Sequence, residues 1–149
     1  MARILIVGCG CRGRRLGRAL SDGGHAVRGT SRFEEGRAAV ASEGFEGVLA
    51  DPGRLGTLLP HLQGVSALCW LMGTADDPAL NGERFATLLE TLVDTHVRGV
   101  VHEAAAGAEA ARYARETYRM PVALVTESPA DLRRWLPAAV RAVDEVLSA

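Results

Sequence analysis

Residues 8–13 read Gly8-Cys9-Gly10-Cys11-Arg12-Gly13, and the place of this run in the chain constrains the fold more than any other feature. The apolar run Arg3–Val7 leads into it, as expected for a buried strand. A helical pattern leads away, with Gly13, Leu16, Gly17 and Leu20 at i, i+3, i+4 and i+7, closed by Gly23-Gly24 as a C-cap signal. A second strand is expected at His25–Thr30. A G-x-G-x-x-G between strand and helix, inside a β-α-β unit, predicts a dinucleotide-binding turn. Gly8 permits the tight turn, Gly10 lets the backbone approach a pyrophosphate, and Gly13 lets helix and strand pack closely. The first amides of the helix then offer N–H donors and partial positive charge to the phosphates.

The same alternation continues to the end of the chain. A helix is expected over Glu34–Glu43, a third strand over Gly47–Ala50 and a helix around Arg54–Leu62. Ser66–Met72 is an unbroken apolar run suited to a strand buried on both faces. A helix over about Ala79–His96 carries Phe85, Leu88, Leu89 and Leu92 on one side, with Asp76-Asp77 before it as capping acids. A fifth strand at Val100–His102, a helix at Ala108–Tyr118 and a sixth strand at Val122–Thr126 follow. The closing helical segment carries Leu132, Leu136, Val140, Val143 and Leu147 and is expected to restart at Pro137. Strand and helix units in alternation predict an α/β fold: a single doubly wound Rossmann-type domain over 1–149. Its six-stranded, mostly parallel sheet is expected in the order 3-2-1-4-5-6, with no separate substrate domain.

Composition narrows the chemistry. All seventeen basic residues are arginine, so Schiff-base chemistry, a P-loop lysine and a Tyr-x-x-x-Lys pair are excluded. A formal net charge of −1 argues against a nucleic-acid partner held by bulk positive charge. No apolar run approaches the roughly 18–20 residues that span a bilayer, and MARILIVGCG lacks a signal-peptide layout. The expectation is a cytoplasmic protein with no membrane partner. Cys9, Cys11, Cys69 and four histidines show no metal-ligand spacing, so no metal is expected.

The end of the second strand bears on which dinucleotide fits. An NAD site places a carboxylate there for the ribose hydroxyls. This chain has Gly29-Thr30-Ser31-Arg32, and Ser31 and Arg32 are suited to donate to a 2′-phosphate. Glu34 and Glu35 come later, on the expected helix. NADP(H) is therefore the favoured cofactor and NAD the alternative. Arg12 is placed to close over the pyrophosphate, whereas Arg14, Arg15 and Arg18 read as a solvated helix face. Cys9 and Cys11 read as small residues of the turn, with thiol reactivity at the helix N-terminus as the lesser alternative.

The stretch RILIVGCGCRGRRLGRALSDGGHAVRGTSR resembles the start of atypical short-chain dehydrogenase/reductases, including epimerase/dehydratase-like proteins. The resemblance continues through GFEGVLADP and LQGVSALCWLMG, covering roughly residues 3–126. It implies that Asp51 bonds the adenine amine with Pro52 flanking the ring, and that Leu71, Met72 and Gly73 lie near the cofactor. The departures are equally informative. Where that family has a serine or threonine after the fifth strand, this chain has His102-Glu103-Ala104-Ala105-Ala106-Gly107. Tyr113 and Tyr118 are followed four residues on by Thr117 and Val122, so neither forms the Tyr-Lys pair. The chain also ends one helix after the sixth strand, where relatives often continue into a substrate lobe.

His102 and Glu103 remain as candidate catalytic groups, set against a plainer account in which one packs in the core and the other caps the helix near Gly107. The leading expectation is a dinucleotide-binding protein without the reductase machinery, in a binding or redox-sensing role. A small NADPH-dependent reductase or epimerase-like enzyme using His102, Glu103 or a partner subunit is the first alternative. A structural or interaction protein with a vestigial site is the second. A homodimer through the last helix, around Leu132, Trp135 and Leu136, is possible by analogy, although packing of that helix on its own sheet explains the same residues.

Overall fold

The computed structural model describes residues 2–103 and 105–149. Its centre is one six-stranded sheet in the order β3-β2-β1-β4-β5-β6. The strands are β1 (Arg3–Val7), β2 (Ala26–Ser31), β3 (Glu46–Leu49), β4 (Ala67–Trp70), β5 (Gly99–His102) and β6 (Val122–Leu124). Every adjacent pair is parallel, so the sheet is all-parallel and doubly wound. Helices α1 (Cys11–Asp22), α2 (Glu34–Ser42) and α5 (Leu132–Ser148) cover one face. Helices α3 (Glu83–Leu92) and α4 (Ala108–Tyr113) cover the other.

The alternation along each strand explains the two layers. Ile4 and Ile6 of β1 pack under α1 and α5 with Leu16, Leu20 and Val143, while Leu5 and Val7 face Leu68, Phe85 and Leu89. Because both sides of β1 and β4 are buried, these strands read as continuous apolar runs. The register aligns Val7 with Trp70 and Trp70 with His102. Gly8, Leu71 and Glu103 therefore emerge side by side at the carboxyl edge of the sheet, where open α/β sheets hold ligands.

Several elements differ from the sequence expectation. The helix expected over 54–62 is two short 3₁₀ turns, Leu55–Thr57 and Leu59–His61. Pro60 withholds an amide there, and the Thr57 hydroxyl bonds the Asp51 and Arg54 carbonyls in competition with a helical ladder. The helix expected over 79–96 is a 3₁₀ turn at Pro78–Leu80 followed by α3, with Asp77 Oδ1 accepting from Ala79 N at 3.0 Å as its cap. The segment expected to be helical over 108–118 ends in a π-turn at Ala114–Tyr118, closed by Arg119 in the left-handed region (φ 57°). β3 begins one residue earlier than expected.

Pro137 lies inside a continuous α5 and does not restart it. The residue is on the exposed side with Arg133, so the carbonyl it deprives of a partner lies toward water. Trp135 is fully buried against the sheet, so it offers no patch to a second copy. Among the described residues, no helix is long and apolar enough to cross a membrane. Ala104 lies outside the described residues.

Candidate functional site

The glycine turn is built by backbone geometry that each of its glycines permits. Gly8 has φ +82°, and its amide donates to the Thr30 hydroxyl at 3.3 Å. The Cys9 amide donates to the Thr30 carbonyl at 3.0 Å, which fastens the turn to β2. A Cβ on Gly8 would stand 2.2 Å from Met72 Cε and 2.9 Å from the Leu71 carbonyl oxygen. A Cβ on Gly13 would stand 3.2 Å from both the Gly8 carbonyl oxygen and Ile6 Cγ2, so α1 sits directly on the strand below it. Gly10 differs, because a Cβ there would meet nothing within 4 Å. The first helical bond runs from Arg14 N to Gly10 O at 2.8 Å. The amides of Cys11, Arg12 and Gly13 therefore have no acceptor within the helix.

Cys9 points the other way, into the core. A Cβ on Gly29 would lie 2.7 Å from its sulfur, and burial pushes the thiol up to about 12. It is a small filler between α1 and β2 and carries no thiolate chemistry at neutral pH. Cys11 is exposed at the first position of α1.

In front of the turn lies an open cleft of about 840 Å³. It is lined by Gly8, Cys9, Gly10 and Arg12 of the turn, by Ser31 and Arg32 at the end of β2, by Asp51 and Pro52 after β3, and by Leu71 and Met72 after β4. These residues, dispersed over 65 positions of sequence, are thus brought to one place. Arg14, Thr30, Phe33 and the 74–77 segment also line it, although the sequence reading gave none of them a place in the site. Arg14 is only half exposed, a departure from the solvated face expected for it, whereas Arg15 and Arg18 are exposed.

The wall after β2 carries hydroxyl and guanidinium groups. The Ser31 hydroxyl accepts from the Phe33 amide at 3.2 Å, and the exposed Arg32 guanidinium lies 5.2 Å from the Phe33 ring centroid. Glu34 is turned away into an ion pair with Arg37, which holds its carboxyl below the usual range. After the neighbouring strand β3, Asp51 Oδ1 accepts from Gly53 N at 2.9 Å.

Arg12 has a defined partner that the sequence does not reveal. Its Nε donates to Glu103 Oε1 at 2.8 Å, a second guanidinium nitrogen pairs with Oε2, and its Cζ lies 5.4 Å from the Trp135 ring centroid. Glu103 Oε2 also accepts from Gly73 N at 2.9 Å. The Glu103 side chain is fully buried, so it does not serve as the cap expected near Gly107. The partners are 91 residues apart in sequence, and no local pattern signals the pairing.

His102 is packed in the core, as the plainer account expected. It is fully buried, its ring centroid lies 4.1 Å from that of Phe85, and it fills the space where Gly107 lacks a side chain. Burial pushes it down to about 4, against a smaller opposing pull from the Trp70 and Asn81 backbone. It is neutral at physiological pH and does not line the cleft. Tyr113 and Tyr118 stack edge-to-face near α4 and do not line it either.

No protein-family model and no curated protein matches the sequence. The fold is shared with solved structures. Triphenylmethane reductase of Citrobacter sp. superposes with a TM-score of 0.67 at 20% identity, over 83% of this chain and 48% of that one. The same enzyme complexed with NADP(H) gives a TM-score of 0.64. A short-chain dehydrogenase/reductase superfamily protein of Agrobacterium tumefaciens with bound NAD gives 0.64 at 22% identity, over 82% of this chain and 48% of that one. The NAD(P)-binding domain of an exopolyphosphatase-related protein of Archaeoglobus fulgidus gives 0.59 at 23% identity, over 84% and 89%. The chain thus spans about half the length of the first two proteins.

Proposed function

We propose that the chain binds a nicotinamide dinucleotide in the cleft above the glycine turn, with NADP(H) preferred, in a binding or redox-sensing role. The observation that carries this is the open space over Gly10 in front of the free amides of α1, since a pyrophosphate requires backbone approach there. The bound structures of fold relatives, one with NADP(H) and one with NAD, support the cofactor class. Ser31 and Arg32 on the cleft wall, with Glu34 held by Arg37, support the 2′-phosphate preference. Asp51 and Pro52 line the same cleft after the neighbouring strand β3, where the adenine belongs by resemblance.

A nicotinamide dinucleotide exchanges hydride when a partner group supplies or takes the proton. The two groups that the sequence offers for this, His102 and Glu103, are unsuited. His102 is buried away from the cleft and neutral, and Glu103 is bound by Arg12 and Gly73. This supports a role that does not depend on reductase-type acid catalysis. Calorimetric titration with NADPH and NADH tests the proposal. NADPH is expected to bind more tightly, and Arg32→Glu to weaken NADPH at least about tenfold, roughly 1.4 kcal/mol, with NADH little changed. Equal affinity for both cofactors in the unaltered protein would remove the NADP(H) preference, and absence of binding would remove the site.

A further inference from the structure

A doubly wound sheet of this order receives a dinucleotide as two mononucleotide halves, one over the ends of the first three strands and one over the ends of the last three. The two halves of this sheet are unlike. The cleft extends from Asp51 and Pro52 after β3, past Ser31 and Arg32 at the end of β2, to the glycine turn after β1. It stops at Arg12, Met72 and the 74–80 segment, and no described residue that follows β5 or β6 lines it.

Protein occupies the way onward. In the sheet order, β4 lies between β1 and β5, so the Arg12–Glu103 pair reaches across the carboxyl end of β4. Gly73, just past β4, donates into the same carboxylate, and its missing side chain is what admits Glu103, since a Cβ would lie 2.9 Å from Glu103 Cγ. Trp135 of α5 lies against the guanidinium. Three elements thus meet in a bar between the two half-sites: α1 through Arg12, the β4 end through Gly73, and the β5 end through Glu103. Met72 lies against the turn on the near side of the bar.

We infer that this site recognises the adenosine-diphosphate half of its ligand alone, 2′-phosphorylated where Arg32 selects for it, and that whatever is attached beyond the second phosphate stays outside. The inference rests on the cofactor site proposed above and narrows its ligand class. A nicotinamide riboside group then contributes nothing to affinity, and adenine nucleotide diphosphates lacking that group are equally good ligands. Of the two roles proposed above only binding remains, because a site blind to the nicotinamide ring cannot sense its redox state.

The test uses the unaltered chain, titrated calorimetrically with NADPH, with 2′-phospho-ADP-ribose and with reduced nicotinamide mononucleotide. The two adenine ligands are expected to bind within about fivefold of one another, and the mononucleotide to give no binding heat at millimolar concentration. The fluorescence of the reduced nicotinamide ring is expected to keep its solvent emission maximum when NADPH is bound. NADPH binding tighter than 2′-phospho-ADP-ribose by more than about fivefold, or a blue-shifted emission, overturns the inference and leaves the dinucleotide reading standing. Failure of both adenine ligands to bind removes the two together.

Discussion

Gly10 and Gly13 stand three positions apart in one motif, yet the space around them assigns opposite consequences to the same change. Gly10 has ordinary extended backbone (φ −82°), and a methyl there touches no protein atom. Gly10→Ala is therefore expected to leave stability within about 0.5 kcal/mol. Its methyl occupies the approach to the α1 amides, so NADPH affinity is expected to drop at least about tenfold. Gly13→Ala places its methyl 3.2 Å from the Gly8 carbonyl oxygen of the turn and from Ile6, neither of which is the free end of a flexible side chain. The expected cost is roughly 1–3 kcal/mol of unfolding free energy, from overpacking between α1 and β1. Urea denaturation and cofactor titration of both variants check the contrast. A stable Gly13→Ala together with an unfolded Gly10→Ala would contradict it.

Among the described residues, the Arg12–Glu103 pair is the one polar side-chain tie between the first helix and the end of the fifth strand. Arg12→Ala leaves a buried carboxylate with only the Gly73 amide, and a loss of about 3 kcal/mol is expected. Adding Glu103→Ala removes the stranded charge, so the double variant is expected to be less destabilised than the two single losses sum to, by more than about 1 kcal/mol. Additive losses in chemical denaturation would show that the pair is not coupled. This tie also marks the boundary of what the sequence discloses. Strands β1, β2 and β4 and helix α1 are legible because burial on both faces and the glycine turn impose local patterns. Ser31 and Arg32 of the cleft wall are legible because they stand at a strand end, and all parallel strand ends meet at one edge, whereas Asp51 and Pro52 are reached through the family resemblance. What is not legible depends on distant contacts. Nothing near Arg12 foretells a carboxylate 91 residues away, and the apolar spacing of 54–62 does not register that Pro60 and the Thr57 hydroxyl draw the backbone into 3₁₀ turns. Trp135 looks like a surface patch when α5 is read alone, and becomes core only once the sheet beneath it is in place.

The whole molecule couples one interior histidine to its global stability. β5 is buried along its full length between two layers of helices, so His102 meets water only when the sheet itself comes apart. Its folded value near 4 lies below the ordinary 6.5 because burial disfavours the imidazolium. Between those values the unfolded chain binds a proton that the folded chain refuses. His102 therefore leaves stability intact above pH 6.5 and removes it progressively as pH falls toward 4, by roughly 3 kcal/mol over the full window. Between pH 7 and pH 5 about 2 kcal/mol of that loss is expected, ahead of most carboxylate protonation. His102→Asn puts a neutral, smaller side chain beside Phe85, so it costs packing at every pH but takes no proton. His25, His61 and His96 remain in both proteins and cancel in the comparison. Unfolding free energies from urea curves at pH 7, 6 and 5 are thus expected to fall more steeply in the unaltered protein than in His102→Asn, the difference narrowing toward low pH. Parallel pH profiles would show that the ring is already accessible to protons in the folded sheet, and that the interior at β5 is less closed than its packing implies.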